Sequence, residues 1–195
     1  MKTKVFCIGF HKTGTTTLDL ALRELGYSVT GPNGVNDANI SSNILKMAYE
    51  LAEQYDAFQD NPWPLVYKEM DEKYPDSKFI LTERDESKWI SSQVRHFGKD
   101  STPMRQFIYG VGCPKGNEQV YLERYRQHYK EVTEYFKGRE NSLLRIDLEK
   151  GHGWKELCDF LNVEIPTIPF PHANKASERE KSKTGLTAKL KRLLS

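Results

Sequence analysis

With 195 residues the chain is long enough for one domain with a substantial core, since a domain of this size buries roughly 70% of the surface its unfolded chain exposes. Hydrophobic residues make up 37% and charged residues 29%, and the formal net charge is +2. So small a charge does not by itself imply a nucleic-acid partner, and no apolar run reaches the roughly 20 residues of a membrane-spanning helix. The three cysteines, Cys7, Cys113 and Cys158, are odd in number and far apart, which argues against a disulfide framework and against a zinc site. They read as small buried hydrophobes or a loop thiol.

The opening Met1-Lys2-Thr3-Lys4 leads into a short apolar stretch broken by Gly9 and Lys12. It lacks the features of a secretory signal, so a cytoplasmic protein is expected. That stretch, Lys4-Val5-Phe6-Cys7-Ile8-Gly9, suits a buried strand of a parallel sheet by its length and flanks. Leu18, Leu22 and Leu25 then recur at helical spacing and stop at Gly26, predicting a helix over 16–25. A second helix is expected over 37–54, and a short strand-like segment over 57–60. Asn61-Pro62-Trp63-Pro64 forbids ordinary helix and starts a new one near Leu65.

Further strands are predicted over 78–82 and 142–146, and further helices over 86–97, 117–137 and 154–161. The segment 98–116, with Pro103, Gly110, Gly112, Pro114 and Gly116, reads as irregular and as a possible lid. From about 177 the tail is highly charged and then basic and leucine-containing, which predicts a docked or frayed terminal helix. Strands alternating with helices imply a three-layer α/β sandwich, a central parallel sheet flanked by helices, within a single domain over 1–195.

The chemistry lies in Gly9-Phe10-His11-Lys12-Thr13-Gly14-Thr15-Thr16. Gly9 and Gly14 stand five apart, as in phosphate-binding loops whose backbone N–H groups and following helix N-terminus cradle phosphate oxygens. In nucleotide hydrolases a lysine follows the second glycine and reaches the β- and γ-phosphates. Here that position is Thr15 and the lysine is Lys12, within the loop.

This loop resembles that of the sulfotransferases that use 3'-phosphoadenylyl sulfate (PAPS), whose fold is P-loop nucleoside triphosphate hydrolase-like. Their first signature, a Lys-Ser/Thr-Gly-Thr-Thr loop for the 5'-phosphosulfate, is matched by Lys12, Thr13, Gly14, Thr15, Thr16 and Thr17. Their second is an arginine at the end of a later strand with a serine eight residues on, which hold the 3'-phosphate. Arg84 and Ser92 match it. The resemblance extends over Trp154 to Asn174, while the glycine-rich 3'-phosphate loop of the larger members is missing; Lys175 and Arg179 are weak candidates for other nucleotide contacts.

The resemblance implies transfer of a sulfuryl group from PAPS, with PAP as product, to a hydroxyl or amine of a small-molecule, glycan or lipid acceptor, with no metal and no nucleic-acid partner. Charge grows on the departing phosphate, and Lys12 is positioned to stabilise it. An aspartate between the first helices and the second signature is the base in related small members, and Asp60 matches that place; His11 and His96 are in reserve. Two other readings stay open. A P-loop kinase would need a magnesium ligand, for which Asp85 or Asp147 could serve, and a non-catalytic PAP-binding protein would keep the loop without turnover.

Overall fold

A computed structural model supplies the architecture, and the structure describes residues 2–172. The charged tail, with Lys175 and Arg179, lies outside the described residues. Five parallel strands, β1 (Val5–Cys7), β2 (Val29–Thr30), β3 (Ala57–Phe58), β4 (Lys78–Thr82) and β5 (Leu143–Ile146), form one sheet in the order β2-β3-β1-β4-β5. Seven α-helices among the described residues flank it: α1 (Thr15–Glu24), α2 (Ile40–Ala52), α3 (Tyr67–Lys73), α4 (Glu86–Phe97), α5 (Pro103–Tyr109), α6 (Glu118–Tyr135) and α7 (Trp154–Leu161). This is the three-layer α/β design expected from the alternation of strands and helices. None of these helices is long and apolar enough to cross a membrane.

β1, β3 and the middle of β4 are apolar because both faces are covered, and successive side chains serve different cores. Phe6, Phe58, Phe79 and Leu81 point into an aromatic core shared with Trp63, Tyr67, Met70 and Tyr121. Val5, Cys7, Ala57, Ile80 and Ile146 face the smaller core under α1 and α7, with Leu18, Leu22 and Leu157. Phe6 lies between its register partners Phe58 and Phe79, with ring centroids 4.6 and 5.4 Å away. Truncating so enclosed a ring, as in Phe6→Ala, costs about 3–5 kcal/mol. All three cysteines are free, with Cys7 and Cys158 buried and Cys113 half-buried.

Two expectations need correction, and one strand was missed. The 98–116 segment is not irregular throughout: it contains α5, capped by the Thr102 hydroxyl, which accepts from Arg105 N, opened by Pro103 and ended by Gly110 at φ 72°. Thr-Pro followed seven residues later by Gly carries the start and stop chemistry of a helix, but two turns are too short for a clear apolar period. The second helix begins at Ile40 rather than 37, because the Asp37 carboxylate accepts from Asn39 N and Asn43 Nδ2 in the turn before it. The two-residue β2 carries too little sequence to show a period.

Strand order marks where a ligand goes. From β1 the chain runs to β2 at the sheet edge and back to β3 beside β1, then crosses to β4 on the other side of β1, and the crevice beyond the carboxyl ends of strands at such a reversal is the ligand site of open α/β sheets. The loop after β1, Asp60 after β3, Arg84 after β4 and Glu149 after β5 all gather there.

Candidate active site

The loop is held down by contacts that its own sequence requires. A Cβ on Gly9 would come within 2.0 Å of Thr82 Oγ1, so only glycine lets the chain pass over the end of β4. The Thr13 hydroxyl donates to the Phe10 carbonyl at 2.6 Å and meets the Thr82 hydroxyl, while the Thr13 amide also bonds Phe10 O. Thr13 therefore fastens the loop, and its hydroxyl is engaged there. Lys12 sits at φ 70°, a left-handed conformation costing a β-carbon residue about 1–3 kcal/mol. The surroundings enforce it: Arg84 Nη1 donates to Lys12 O at 2.9 Å, and Trp89 Nε1 and Gln93 Nε2 both donate to His11 O at 3.0 Å.

Gly14, at φ 109°, is the N-cap of α1, and no side chain caps the helix there. Its first-turn N–H groups and the positive end of its dipole are left without a side-chain cap, an arrangement suited to an anion. Asp60 is the second β-carbon residue of the site with positive φ, at 62°. Its Oδ1 accepts from Asn61 N at 2.7 Å and its Oδ2 from the Thr15 hydroxyl at 3.1 Å, which ties the end of β3 to the first turn of α1. It caps no helix, since the following 3-10 turn over Trp63–Leu65 has Pro62 at its N-cap.

Lys12, Thr13, Gly14, Thr15, Thr16, Thr17, Asp60, Arg84 and Ser92 all line a single cavity of about 1160 Å³, as do both reserve histidines. Residues up to eighty positions apart in sequence thus meet over the switch point of the sheet. The sulfotransferase domain family matches residues 4–115 and 104–179. The chain belongs to that family. A curated relative, Ava biosynthesis cluster protein M of Aspergillus versicolor, is 24% identical over 215 residues that cover 87% of this chain and 80% of that one.

The family's second signature is built as a clamp with an added carboxylate. Arg84 donates through Nε to Glu149 Oε1 at 3.0 Å, with Nη2 at 2.9 Å from the same oxygen, while Lys88 Nζ lies 2.9 Å from Glu149 Oε2. Neither Glu149 nor Lys88 was legible as a site residue. The acidic residues next to Arg84 in the chain do other work: Asp85 caps α4 by accepting from Lys88 N, and Glu86 pairs with Arg126. Ser92 is buried on α4, lines the cavity, and its hydroxyl has no hydrogen-bond partner among the described residues.

The opposite wall of the cavity comes from α4, α5 and the loop after β2. His11 is buried with both ring nitrogens engaged, Nδ1 3.3 Å from Asn61 Nδ2 and Nε2 3.3 Å from the Tyr109 hydroxyl. Burial holds its pKa below the usual imidazole range, with Arg105 and Lys12 adding to the effect and Asp60 opposing it. His11 is a neutral wall residue rather than a ready base, and burial likewise raises the Tyr109 phenol. Met104 N bonds Val35 O, which ties α5 to the loop carrying Pro32. Trp63, Trp89 and Tyr109 are core and Phe107 is exposed, so the phenylalanines lining the cavity are Phe97 and Phe170.

The donor set suits a phosphosulfate nucleotide. An uncapped helix N-terminus, a lysine inside the loop, and an arginine with an unpartnered serine are complementary to two separated anionic groups. The magnesium ligands required by a kinase fare worse. Asp85 and Asp147 are both engaged as caps, Asp147 accepting from Glu149 N and pairing with Lys150, and neither lines the cavity.

Proposed function

We infer that this member of the sulfotransferase family transfers a sulfuryl group from PAPS to an acceptor hydroxyl or amine. The convergence of Lys12, Asp60, Arg84 and Ser92 from four separate segments on one cavity supports the reading. Its volume of about 1160 Å³ exceeds the 300–1,000 Å³ of ordinary single-ligand sites, enough for a nucleotide and an acceptor together.

When bound, the donor supplies an SO₃ group whose departure leaves negative charge on a phosphate. The α1 N-terminus and the loop N–H groups hold the 5' anion, and the Lys12 ammonium stabilises the charge that grows on it. Arg84 and Ser92 hold the 3'-phosphate at the far side of the loop. Asp60 takes the proton of the acceptor as its oxygen or nitrogen bonds to sulfur. Its two oxygens are oriented by Asn61 N and the Thr15 hydroxyl, so the carboxylate is aimed without rotamer search.

The direct test is PAPS-dependent turnover of a pooled metabolite panel, read as the mass gain of one sulfate. Lys12→Ala is expected to lower kcat by about 10²–10³ while thermal melting stays near that of the parent chain. Retained turnover in that variant removes Lys12 from the chemistry. Tight PAP binding with no turnover across the panel would instead favour a non-catalytic nucleotide-binding protein.

A further inference from the structure

Resting on that reading, we propose that Arg105 recognises an oxyanion, a carboxylate or a phosphate or sulfate ester, on the acceptor substrate. Arg105 lies on α5, is only 5% exposed, and lines the same cavity as Lys12 and Asp60. The other arginine clamps of the molecule are matched by carboxylates: Arg84 by Glu149, Arg139 by Asp71 and Arg145 by Glu83. Arg105 has no acidic partner among the described residues. Its Nε donates to Gly112 O at 3.1 Å, its Nη2 to Asp100 O at 2.6 Å, and its guanidinium stacks 4.3 Å from the Phe97 ring centroid. Nη1 has no acceptor among the described residues.

This arrangement costs more than a structural role requires. A neutral amide could bond those two carbonyls, whereas a buried cation without a counter-charge is strongly disfavoured. The carbonyls and the Phe97 face fix the plane of the fork, which leaves a preorganised donor edge for a planar or tetrahedral oxyanion. The donor's own anions are already matched elsewhere, by the α1 N-terminus, Lys12, Arg84 and Ser92. Arg95 lines the cavity too, is exposed, and likewise has no acidic partner among the described residues, so the acceptor end carries an excess of positive charge. The His11 ring contacts Asn61, next to Asp60, and stands edge-on to Phe97 with centroids 5.4 Å apart, the ring on which Arg105 stacks, which sets the anion subsite near the proposed base.

The test is a panel of hydroxylated compounds in matched pairs: carboxylate against primary amide, phosphate monoester against free alcohol, and sulfate ester against free alcohol. Each is assayed for PAPS-dependent turnover, and for binding by calorimetry in the presence of PAP. Anionic members are expected to be preferred about 10- to 100-fold in kcat/KM, chiefly through KM, and the pair showing the preference identifies the oxyanion. Arg105→Gln should erase the preference with PAP affinity unchanged, which also reports that the nucleotide half is folded. Arg105→Lys, which keeps the cation but not the fork, should retain part of it.

Neutral members as good as their anionic partners in the parent chain, or a preference that survives in Arg105→Gln, overturns the proposal. Failure to bind PAP, with Arg105-dependent discrimination intact in direct binding, strikes the sulfotransfer reading and leaves the anion subsite standing.

Discussion

The two walls of the cavity treat positive charge in opposite ways. On the wall formed by the β1 loop, the ends of β4 and β5 and the first turns of α4, Arg84 and Lys88 share the Glu149 carboxylate, and Arg84 also braces the backbone of Lys12. On the wall formed by the end of α4 and by α5, Arg105 is held by two carbonyls and an aromatic face, without a carboxylate. The first design gives a fixed frame for a ligand of known anionic geometry. The second holds an uncompensated cation in reserve for whatever arrives beside Asp60. Under the proposed function, nucleotide affinity and acceptor choice belong to different walls, and substitutions should separate them.

The largest expected effect falls where the walls meet. Asp60→Asn keeps the acceptor for Asn61 N, turns an amide N–H donor toward the Thr15 hydroxyl and removes the base, so kcat at saturating acceptor should drop by about 10²–10⁴ with PAP affinity unchanged. A near-parental kcat would move the base to another residue and break the division.

Next comes the floor beneath both walls. His128 is fully buried, stacks on Phe10 at 4.4 Å and donates through Nε2 to Ile8 O at 2.7 Å, while its Nδ1 has no partner among the described residues. Burial lowers its pKa from 6.5 to about 4. Between those values the unfolded chain binds the proton and the folded chain does not, so this contribution is whole above pH 6.5 and is lost as pH falls through 4. The loss amounts to about 3 kcal/mol at 1.36 kcal/mol per pKa unit, and His11 shifts in the same direction. Denaturant melts from pH 7 to 4 should show it, and His128→Gln should flatten the slope; a slope unchanged in that variant would assign the acid sensitivity elsewhere.

On the nucleotide wall, Arg84→Ala is expected to weaken PAP binding by roughly 1.5–3 kcal/mol while leaving the acceptor KM unchanged. An acceptor effect of equal size would show that the walls are coupled. The smallest effect is expected for Glu149→Gln. Removing its charge from beside Arg84 and Lys88 should tighten PAP about two- to fivefold at low salt, less at high salt, by titration calorimetry. Weaker binding would mean that Glu149 serves chiefly to hold Arg84 in position.

Much of the nucleotide wall was legible because its parts are short-range. A loop needs glycine where a Cβ would meet Thr82, a helix N-terminus follows within a few residues, and Arg84 and Ser92 lie eight positions apart on one strand-to-helix unit. The acceptor wall was not. Thr102-Pro103 and Gly110 mark α5 by capping chemistry alone, and Arg105 looks in sequence like any surface arginine until the carbonyls of Asp100 and Gly112 enclose it. Glu149 stands 65 positions beyond Arg84, so its pairing depends on β4 and β5 being neighbours.

By itself the sequence determined the alternation of strands and helices, the glycine spacing of the loop, and the lysine within it, since each follows from residue spacing and local backbone chemistry. Tertiary structure alone decided that Asp60 bonds Thr15, that Glu149 rather than Asp85 faces Arg84, and that Arg105 is buried without a counter-charge. Those relations depend on strand order and helix packing, which bring distant residues together by burying two apolar cores and leave no trace in the spacing of the residues they join.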